Sequence, residues 1–282
     1  PRIPDPSLPP QEGSAKIMSR GSLACVGLGM TWGAHLGPRA RNYIEEADVV
    51  FAAVSDPLVE LWVQGMNRDV RSLQPFYAEG KPRTETYRQM IEAMMVEIRA
   101  GRRVCGAFYG HPGVFAQVPH RVIAQARGEG YPAEMEAAVS AEDCLYADLG
   151  IDPGTFGCQH YEASQFMFYQ RVIDPSAYLI LWQIGVAGDR SLARTSTGAA
   201  FRTLLLELLA PDYPSEHEVI AYEAATLPIA TPRMERMPLK ALADAVLVPQ
   251  TTLVIPPARA MVPNRKVIDR LAELEAQASA KA

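Results

Sequence analysis

Two phenols and one guanidinium stand close together in the sequence at the start of a predicted helix. Arg83 and Tyr87 are four residues apart, so a helix over Thr84–Ala100 places both on one face. Arg83 also lies where the helix dipole and the first free N–H groups add positive potential. We expect that field to lower the pKa of a nearby tyrosine and to favour its phenolate. The set suits proton removal and stabilisation of a developing oxyanion; the alternative is a solvated helix face with Tyr77 as a packing residue.

A turn rich in glycine follows the apolar run Val104–Tyr109, which is typical of a buried strand. Its sequence is Tyr109-Gly110-His111-Pro112-Gly113-Val114-Phe115. Ligands of open α/β sheets collect beyond the carboxyl ends of the strands, so this turn is a candidate binding site. The alternative is a tight loop in which His111 is an ordinary turn residue.

A second glycine turn follows the first apolar run, Leu23–Leu28. Glycine lets the backbone approach a ligand closely, and Gly27 and Gly29 are separated by one residue. The pattern Gly27-x-Gly29-x-x-x-Gly33 differs from the dinucleotide fingerprint, because the third glycine comes one residue late. Alone, this pair is a weak indication of ligand contact.

The remaining reactive side chains favour structural roles. Neither the histidines nor the cysteines have metal-ligand spacing, so we expect capping or surface histidines and no metal. The cysteines form no C-x-x-C pair, which indicates buried reduced thiols and a reducing cytoplasm. These residues are His35, His120, His160 and His217, and Cys25, Cys105, Cys144 and Cys158.

The elements that must position these residues alternate between strand-like and helix-like segments, which predicts an α/β fold. Besides the two apolar runs above, strands are predicted at residues 49–54, 133–139, 178–186, 218–222 and 251–255. We expect a Pro-rich disordered leader, an N-terminal α/β domain, a C-terminal α/β domain and a terminal tail or helix. Ser140 is a predicted N-cap, with Asp143 three residues later. The expected boundaries are 1–20, 21–152, 153–258 and 259–282.

Composition narrows the class of protein. The chain has 282 residues, 48% hydrophobic and 21% charged, which is ordinary globular composition. Its formal net charge of −5 argues against a nucleic-acid-binding protein. No apolar run is long enough for a membrane helix, and no signal peptide is visible. We therefore expect neither nucleic-acid nor membrane partners.

Together the turns resemble the tetrapyrrole (corrin/porphyrin) methylase superfamily. The corresponding segments here are Gly27-Leu28-Gly29, Tyr109–Phe115 and Ser140-Ala141-Glu142-Asp143. The resemblance implies a fold of two α/β domains with the cofactor cleft between them. It also implies S-adenosyl-L-methionine as the methyl donor, S-adenosyl-L-homocysteine as the product, and no metal.

A narrower resemblance is to the borosin peptide-backbone α-N-methyltransferases. It rests on Phe76–Tyr87, Tyr109–Phe115 and Ser140–Leu149, and extends to Gln159–Phe166 and Leu181–Gly185. It covers roughly Gly21 to Ala258. It implies successive methylation of backbone amides and a homodimer.

The resemblance assigns roles to individual residues. Tyr77 is the implied base, while Arg83 and Tyr87 polarise the amide and hold its oxygen. An amide nitrogen needs this help because its lone pair is delocalised into the carbonyl. The implied cofactor-binding residues are Gly27, Gly29, Tyr109, His111, Val114, Phe115, Ser140, Ala141, Gln183, Ala225 and Thr252.

Two features set the chain apart within that family. Fungal members carry their substrate peptide at the C-terminus, whereas this sequence ends at Ala282 without a hydrophobic core peptide. We therefore expect a separate precursor peptide, with a leader or binding domain, that is methylated in trans. The family usually has Pro-Gly before Val139-Ser140, where this chain has Glu136-Ala137-Ala138. That change alters the backbone options of the turn.

Two other functions stay open at this point. One is methylation of a tetrapyrrole-like small molecule, which the superfamily fold alone permits. The other is a non-catalytic protein that binds S-adenosylmethionine or a peptide. Tyr77, Arg83 and Tyr87 argue against both, because neither function needs a trio that activates an amide.

Overall fold

The structure is a computed structural model that describes residues 20–54, 56–78, 80–191, 193–194 and 196–280. Apart from Arg20, the predicted leader lies outside the described residues. The chain divides into two compact units. The first contains the described residues up to Leu28, together with Leu36–Phe76 and Tyr87–Ala138; the second contains Gly29–His35, Tyr77–Thr86 and the residues from Val139 onward.

The first unit is built on a parallel five-stranded sheet. In chain order its elements are β1 (Ser22–Gly27), α1 (Pro38–Glu46), β2 (Val49–Ala53), α2 (Pro57–Gln64), β3 (Val70–Ser72), α3 (Arg83–Arg99), β4 (Arg103–Phe108), α4 (Gln117–Gly128) and β5 (Ala133–Met135). The strand order is β3-β2-β4-β1-β5. The first four residues of α3 are grouped with the second unit.

Both faces of this sheet are covered by helices. Side chains alternate along a strand, so Leu23 and Cys25 of β1 join a core with α3 and α4. Ala24 and Val26 join the opposite core, with α1 and α2. A sheet buried on both faces needs strands that are apolar throughout, and the run Leu23–Leu28 has that character.

The second unit is built on a mixed five-stranded sheet with the order β6-β7-β10-β8-β9. Its strands and helices are α5 (Ala141–Leu149), α6 (Pro153–Phe156), β6 (Cys158–Glu162), α7 (Ala163–Phe168), β7 (Tyr178–Trp182), α8 (Ala199–Leu209), β8 (Glu218–Glu223), β9 (Arg233–Pro238), β10 (Thr252–Ile255) and α9 (Arg265–Ser279). β6 and β7 are parallel, whereas β10 is antiparallel to β7 and β8, and β9 is antiparallel to β8.

The two faces of the second sheet differ in character. One face packs against α7 and α8 in an apolar core around Leu181 and Leu253. The other face packs against α5, where Trp182 and Tyr222 place polar atoms among the apolar groups. Most of the side chains that form the polar chain described below pack on this second face.

The α/β fold class predicted from the sequence is confirmed. Two predicted strands end early: β5 stops at Met135, and β7 stops at Trp182 because Ile184–Val186 forms a 3-10 turn. The last segment of the second unit begins at Val139, so α5 is grouped with that unit rather than with the first sheet. The boundary predicted at residue 152 stays a prediction.

Candidate functional site

Gly27 ends β1 at the carboxyl edge of the first sheet, where the backbone of the next turn lies against it. A Cβ atom on Gly27 would stand 2.2 Å from the carbonyl oxygen of Gly110 and 2.4 Å from the Cβ atom of Ala138. Those distances leave no room for any side chain. Glycine is therefore required here by close packing within the first unit, independently of any ligand.

The turn after β4 is held by its own histidine. The Gly113 N–H donates to Nδ1 of His111 at 2.8 Å, and Nε2 of His120 lies 2.9 Å from the Gly113 carbonyl oxygen. The Val114 N–H closes the turn on the His111 carbonyl at 3.3 Å. Phe115 ends it with a φ of 50°, a left-handed conformation that is costly for an aromatic residue. His111 thus acts as a turn residue, with its Nε2 atom directed away from that bond.

Tyr109 and Phe115 present aromatic surface beside this turn. Their relative exposures are 53% and 45%. Desolvation by the surrounding protein, and then the proximity of Tyr87, raise the pKa of Tyr109. Its phenol is therefore protonated at neutral pH. It is suited to donating a hydrogen bond or stacking on a ligand, and not to acting as a base.

The segment before Val139-Ser140 keeps an ordinary backbone, although it lacks the Pro-Gly that is usual in the family. Among the described non-glycine residues, only Phe115 and Gln183 have positive φ, so Ala138 does not occupy a conformation that demands glycine. The Glu136 N–H donates to the Cys25 carbonyl at 2.9 Å, and its carboxylate lies 3.3 Å from the Arg39 guanidinium. Both contacts fix this segment against β1 and α1.

The Gly29 turn, which is grouped with the second unit, is capped by a histidine. Gly29 has a φ of 72°, and Nδ1 of His35 accepts the N–H groups of Met30 and Thr31 at 3.3 and 3.2 Å. The Thr31 hydroxyl donates to the Ala225 carbonyl at 3.1 Å. The capping role predicted for His35 is confirmed.

Ser140 caps α5 as predicted. Its hydroxyl accepts the Asp143 N–H at 3.3 Å, while the Asp143 carboxylate accepts both the N–H and the hydroxyl of Ser140 at 2.7 Å. This reciprocal capping box leaves the first-turn N–H groups of Ala141 and Glu142 without a carbonyl partner inside the helix. Those amides are hydrogen-bond donors at the positive end of the helix dipole.

Three other predicted residues meet at one edge of the second sheet. β7 and β8 run in the same direction, so Gln183 and Ala225 follow their carboxyl ends, and Thr252 opens the antiparallel β10 at that edge. Gln183 is left-handed, with a φ of 60°, and the next N–H, that of Ile184, donates to the Thr251 carbonyl at 3.0 Å. Such strain in a non-glycine residue occurs most often at functional sites.

Four side chains form a polar chain beside that edge, and one of them, His160, is not the capping or surface histidine expected from the sequence. They are Glu142 and Tyr146 of α5, His160 of β6 and Trp182 of β7, and we call them the His160 relay. No short motif identifies the relay, because its members are brought together by the pairing of β6 with β7 and by the packing of α5.

The predicted catalytic residues flank the start of α3. Tyr77 follows a 3-10 turn, and the Lys81 N–H donates to the Ala78 carbonyl at 3.2 Å, which reverses the chain before Arg83. Tyr77 is 46% exposed, and Nη2 of Arg83 donates to the Arg194 carbonyl at 3.4 Å. Tyr87, in α3, packs against the core of the first unit, to which α3 and α4 both contribute.

Asp189 organises the loop that carries the Arg194 carbonyl, and sequence analysis missed it. Its buried carboxylate accepts the Ser191 hydroxyl at 2.6 Å and the Arg194 N–H at 2.9 Å. Burial alone would raise the pKa of Asp189, but these hydrogen bonds outweigh it and the pKa is lowered. The carboxylate therefore stays ionised and fixes the carbonyl that Arg83 contacts.

Comparison with known proteins identifies the family. The family model for Tetrapyrrole (Corrin/Porphyrin) Methylases matches residues 22–243. The chain belongs to the tetrapyrrole methylases. This membership confirms the wider resemblance predicted from the glycine turns and Ser140–Asp143.

The sequence relatives of this tetrapyrrole methylase include fungal peptide precursors. It is 38% identical over 260 residues to a methyltransferase/ribosomally synthesized cyclic peptide gymnopeptides precursor of Gymnopus fusipes, covering 91% of this chain and 62% of the relative. It is 44% identical over 218 residues to a type I borosin cyclic peptide precursor of Coprinopsis marcescibilis, covering 77% and 56%. The predicted resemblance to borosin methyltransferases is thereby confirmed, although the chain spans only about three fifths of these relatives.

Solved structures support the fold. A uroporphyrin-III-C-methyltransferase from Thermus thermophilus superposes with a TM-score of 0.57 at 20% identity, covering 84% of this chain and 93% of that one. A cobalt precorrin-4 methyltransferase gives 0.58 at 16% identity, covering 85% and 96%. At these identities the likeness extends to the tetrapyrrole methylase fold alone.

Metal-binding groups, membrane-spanning helices and cysteines were the other features considered in the sequence. Within the described ranges, no group of three or more His, Cys, Asp and Glu side chains is arranged to hold a metal ion. Over the same residues, no helix has the length and apolar character to cross a bilayer. The four cysteines are free thiols, with Cys25 and Cys105 buried.

Proposed function

We propose that this chain transfers methyl groups from S-adenosylmethionine to backbone amide nitrogens of a ribosomally made peptide. The observation that carries the proposal is 38% identity across 91% of the chain to a protein named as both methyltransferase and cyclic peptide precursor. Tyr77, Arg83 and Tyr87, to which the family resemblance assigns amide activation, lie shortly before α3 or in its first turns.

The residues of each unit suit a nucleoside-bearing cofactor. In the first unit, Tyr109 and Phe115 offer exposed aromatic faces, which stack on nucleobases. In the second unit, Ala141 supplies a main-chain donor at the positive end of α5, and the left-handed turn at Gln183 presents a polar amide. We assign the remaining predicted positions, namely Gly27, Gly29, His111, Val114, Ser140, Ala225 and Thr252, to the same role.

The cofactor, when bound, supplies an activated methyl group on a sulfonium, so no metal is needed for the transfer. The protein must then make the amide nitrogen nucleophilic. We assign Tyr77 as the base that takes the N–H proton as the nitrogen–methyl bond forms. Arg83 lies at the positive end of α3 and stabilises the negative charge that collects on the amide oxygen.

Tyr87 is the third member of this proposed set. It lies one helical turn after Arg83 and is partly buried against apolar groups of the first core. A phenol held in this way keeps a fixed orientation, so we assign it to donate to the amide oxygen rather than to accept the proton.

The peptide substrate is proposed to be a separate precursor protein that carries a leader or binding domain. The names of the relatives join a methyltransferase and a peptide precursor in one protein, which supports a peptide as the substrate. What must be tested is whether that peptide is a separate protein here.

We also propose that the protein is cytoplasmic, where its free thiols stay reduced.

We further propose that the protein is a homodimer, and the terminal helix α9 supports this. Val267, Leu271 and Leu274 recur at heptad spacing on α9 and are all exposed. Despite Asp269, the start of α9 is net positive through Arg265, Lys266 and Arg270. Its later part carries Glu273 and Glu275, so an antiparallel copy would align opposite net charges. Sedimentation equilibrium would show a monomer if this assignment is wrong.

The function is tested by intact mass spectrometry of a precursor protein encoded beside this chain and co-expressed with it. We expect increments of one methyl group, roughly 14 Da, placed by fragmentation on backbone nitrogens. Coexpression with the Tyr77→Phe variant is the matched control, since it keeps the ring and removes the base. An unmodified precursor in a preparation that binds S-adenosylmethionine would point to another acceptor, such as a small molecule, or to a binding-only protein.

A further inference from the structure

The His160 relay connects three elements of the second unit through hydrogen bonds. The Trp182 indole N–H donates to Nδ1 of His160 at 3.1 Å, and Nε2 of His160 lies 2.8 Å from the Tyr146 hydroxyl oxygen. The Tyr146 hydroxyl lies 2.9 Å from the Glu142 carboxylate. The indole and imidazole rings are also stacked, with centroids 6.0 Å apart.

The donors and acceptors in the relay fit one arrangement of protons. Indole nitrogen only donates, so Nδ1 of His160 must accept, and the proton of the neutral ring is on Nε2. Nε2–H then donates to the Tyr146 oxygen, and the Tyr146 hydroxyl donates to Glu142. Burial lowers the pKa of His160, and burial together with the Glu142 bond raises that of Tyr146, so both side chains hold these protons at neutral pH.

Both ends of the relay adjoin residues that we assign to the cofactor. Glu142 follows Ala141 in the first turn of α5, which the Ser140–Asp143 capping box opens. Trp182 directly precedes the left-handed Gln183. The relay therefore ties the capped start of one helix to the strained end of one strand. Backbone hydrogen bonds of β6 and β7 do not make this connection, since α5 lies outside the sheet.

We propose that His160 is a positioning residue, whose imidazole sets the distance between the Ser140–Ala141 turn and Gln183 by bridging Trp182 to Tyr146. This role rests on the proposed function, because it assumes that both segments hold the methyl donor. An imidazole suits the task because it accepts on one nitrogen and donates on the other within a rigid ring. His160 is mostly buried, with a side-chain exposure of 20%, so water replaces it poorly.

The proton arrangement is tested directly by the nitrogen-15 shifts of His160 in the free protein at pH 7.5. The expected result is a protonated Nε2 and an unprotonated Nδ1, with the Nδ1 signal shifted in a Trp182→Phe variant. A ring protonated on Nδ1, or on both nitrogens, would contradict the relay whatever the protein catalyses.

The positioning role is tested by the binding of S-adenosylhomocysteine, measured by calorimetry, in two matched variants. Tyr146→Phe breaks the relay, whereas Tyr222→Phe removes a similar bond to Asp148, 2.7 Å long, at the other end of the same helix. Each loses one tyrosine hydroxyl and keeps its ring, so similar losses of thermal stability are expected. We expect the dissociation constant to rise about tenfold for Tyr146→Phe and less than twofold for Tyr222→Phe.

The imidazole itself is tested with His160→Leu and His160→Gln. Leucine removes both bonds, whereas the glutamine amide has an acceptor and a donor about as far apart as the two ring nitrogens. We expect His160→Leu to weaken binding about tenfold or more and His160→Gln to recover part of it. Unchanged binding in the relay variants, or equal losses in Tyr146→Phe and Tyr222→Phe, would overturn the inference. If the wild-type chain bound no S-adenosylhomocysteine, the proposed function would fail first.

Discussion

The candidate turns of the two units are held in place by different means. At the edge of the first sheet, Gly27 is enclosed by direct packing against Gly110 and Ala138, and the His111–Gly113 turn is held by a hydrogen bond within the turn itself. At the edge of the second sheet, the positions of Ser140 and Gln183 depend on side chains from α5, β6 and β7. Close packing around a glycine admits only that residue type. A network of side-chain hydrogen bonds, in contrast, loses its geometry gradually as single bonds are removed. We expect abrupt effects of substitution in the first unit and graded effects in the second.

The largest effect is expected at Arg83, the residue that we propose stabilises the negative charge on the amide oxygen. Arg83→Ala should lower turnover by about a hundredfold to a thousandfold, the cost of losing one preorganised oxyanion donor. Binding of S-adenosylhomocysteine should change less than twofold. Arg83→Lys keeps the charge but not the planar fork, and an intermediate rate is expected. Single-turnover rates measure the effect, and wild-type turnover in Arg83→Ala would remove its assigned role.

The second largest effect is expected at Gly27, where close packing sets the edge of the first sheet. Gly27→Val places a branched side chain 2.2 Å from the Gly110 carbonyl, so we expect a loss of about 3 kcal/mol in the free energy of unfolding. The control is Gly37→Ala, since no heavy atom lies within 4 Å of a Cβ at Gly37 and its φ is −68°. That variant should lose less than about 1 kcal/mol. Equal denaturant midpoints for the two variants would show that the close contact at Gly27 does not limit the stability of the protein.

A smaller effect is expected for one hydrogen bond of the second unit. Tyr222→Phe removes the bond to Asp148 and should cost about 1 kcal/mol in the free energy of unfolding. Tyr213→Phe is the matched control, because the buried Tyr213 hydroxyl has no hydrogen-bond partner among the described residues. Removing that hydroxyl should be neutral or stabilising. If both variants lost the same stability, the hydroxyl bond to Asp148 would not be the cause.

The smallest expected effect is a dependence of stability on pH through His160. Its pKa is lowered in the folded chain by burial, which Glu142 partly opposes. The unfolded chain therefore takes up this proton first as pH falls below about 6.5. Stability contributed by His160 should be lost from that pH down to the folded pKa, with a slope of at most about 1.4 kcal/mol per pH unit.

The His160→Gln variant, compared with the wild type between pH 7.5 and 5.5, isolates this contribution. Tyr146, Glu142 and, beside Tyr146, Cys158 are the other titratable groups near the ring. The variant should flatten the pH profile of the thermal midpoint. Parallel profiles would show that other groups cause the change.

The elements predicted from the sequence were those with continuous apolar runs. The central strands β1, β2, β4, β7, β8 and β10 and the long helix α3 were all predicted within a few residues. The three unpredicted strands, β3, β6 and β9, each lie at the edge of a sheet. An edge strand is buried less and needs no apolar run, so hydrophobic pattern does not reveal it. For the same reason, the length of β5, the other edge of the first sheet, was overestimated.

The residues of the candidate site also differ in whether a local sequence pattern predicts them. Glycine turns and the Ser140–Asp143 capping box are local patterns, and both are present as predicted. The His160 relay joins residues 14 and 22 positions apart, and Asp189 organises its loop through a buried carboxylate. No local pattern indicates either of them. Sequence therefore predicted where the turns are, while tertiary packing decides what holds them.

The edge strand β9 has a consequence for how a peptide can approach the protein. Its exposed residues Glu235 and Arg236 carry charge, and the Arg236 guanidinium lies 2.7 Å from the Glu218 carboxylate of the neighbouring strand. The strand ends in Pro238, which has no N–H to offer. Charges and proline discourage a further strand from pairing at a sheet edge. An extended chain, such as the peptide substrate proposed above, is thus kept from adding itself to β9, and the same charges and proline limit aggregation at this edge.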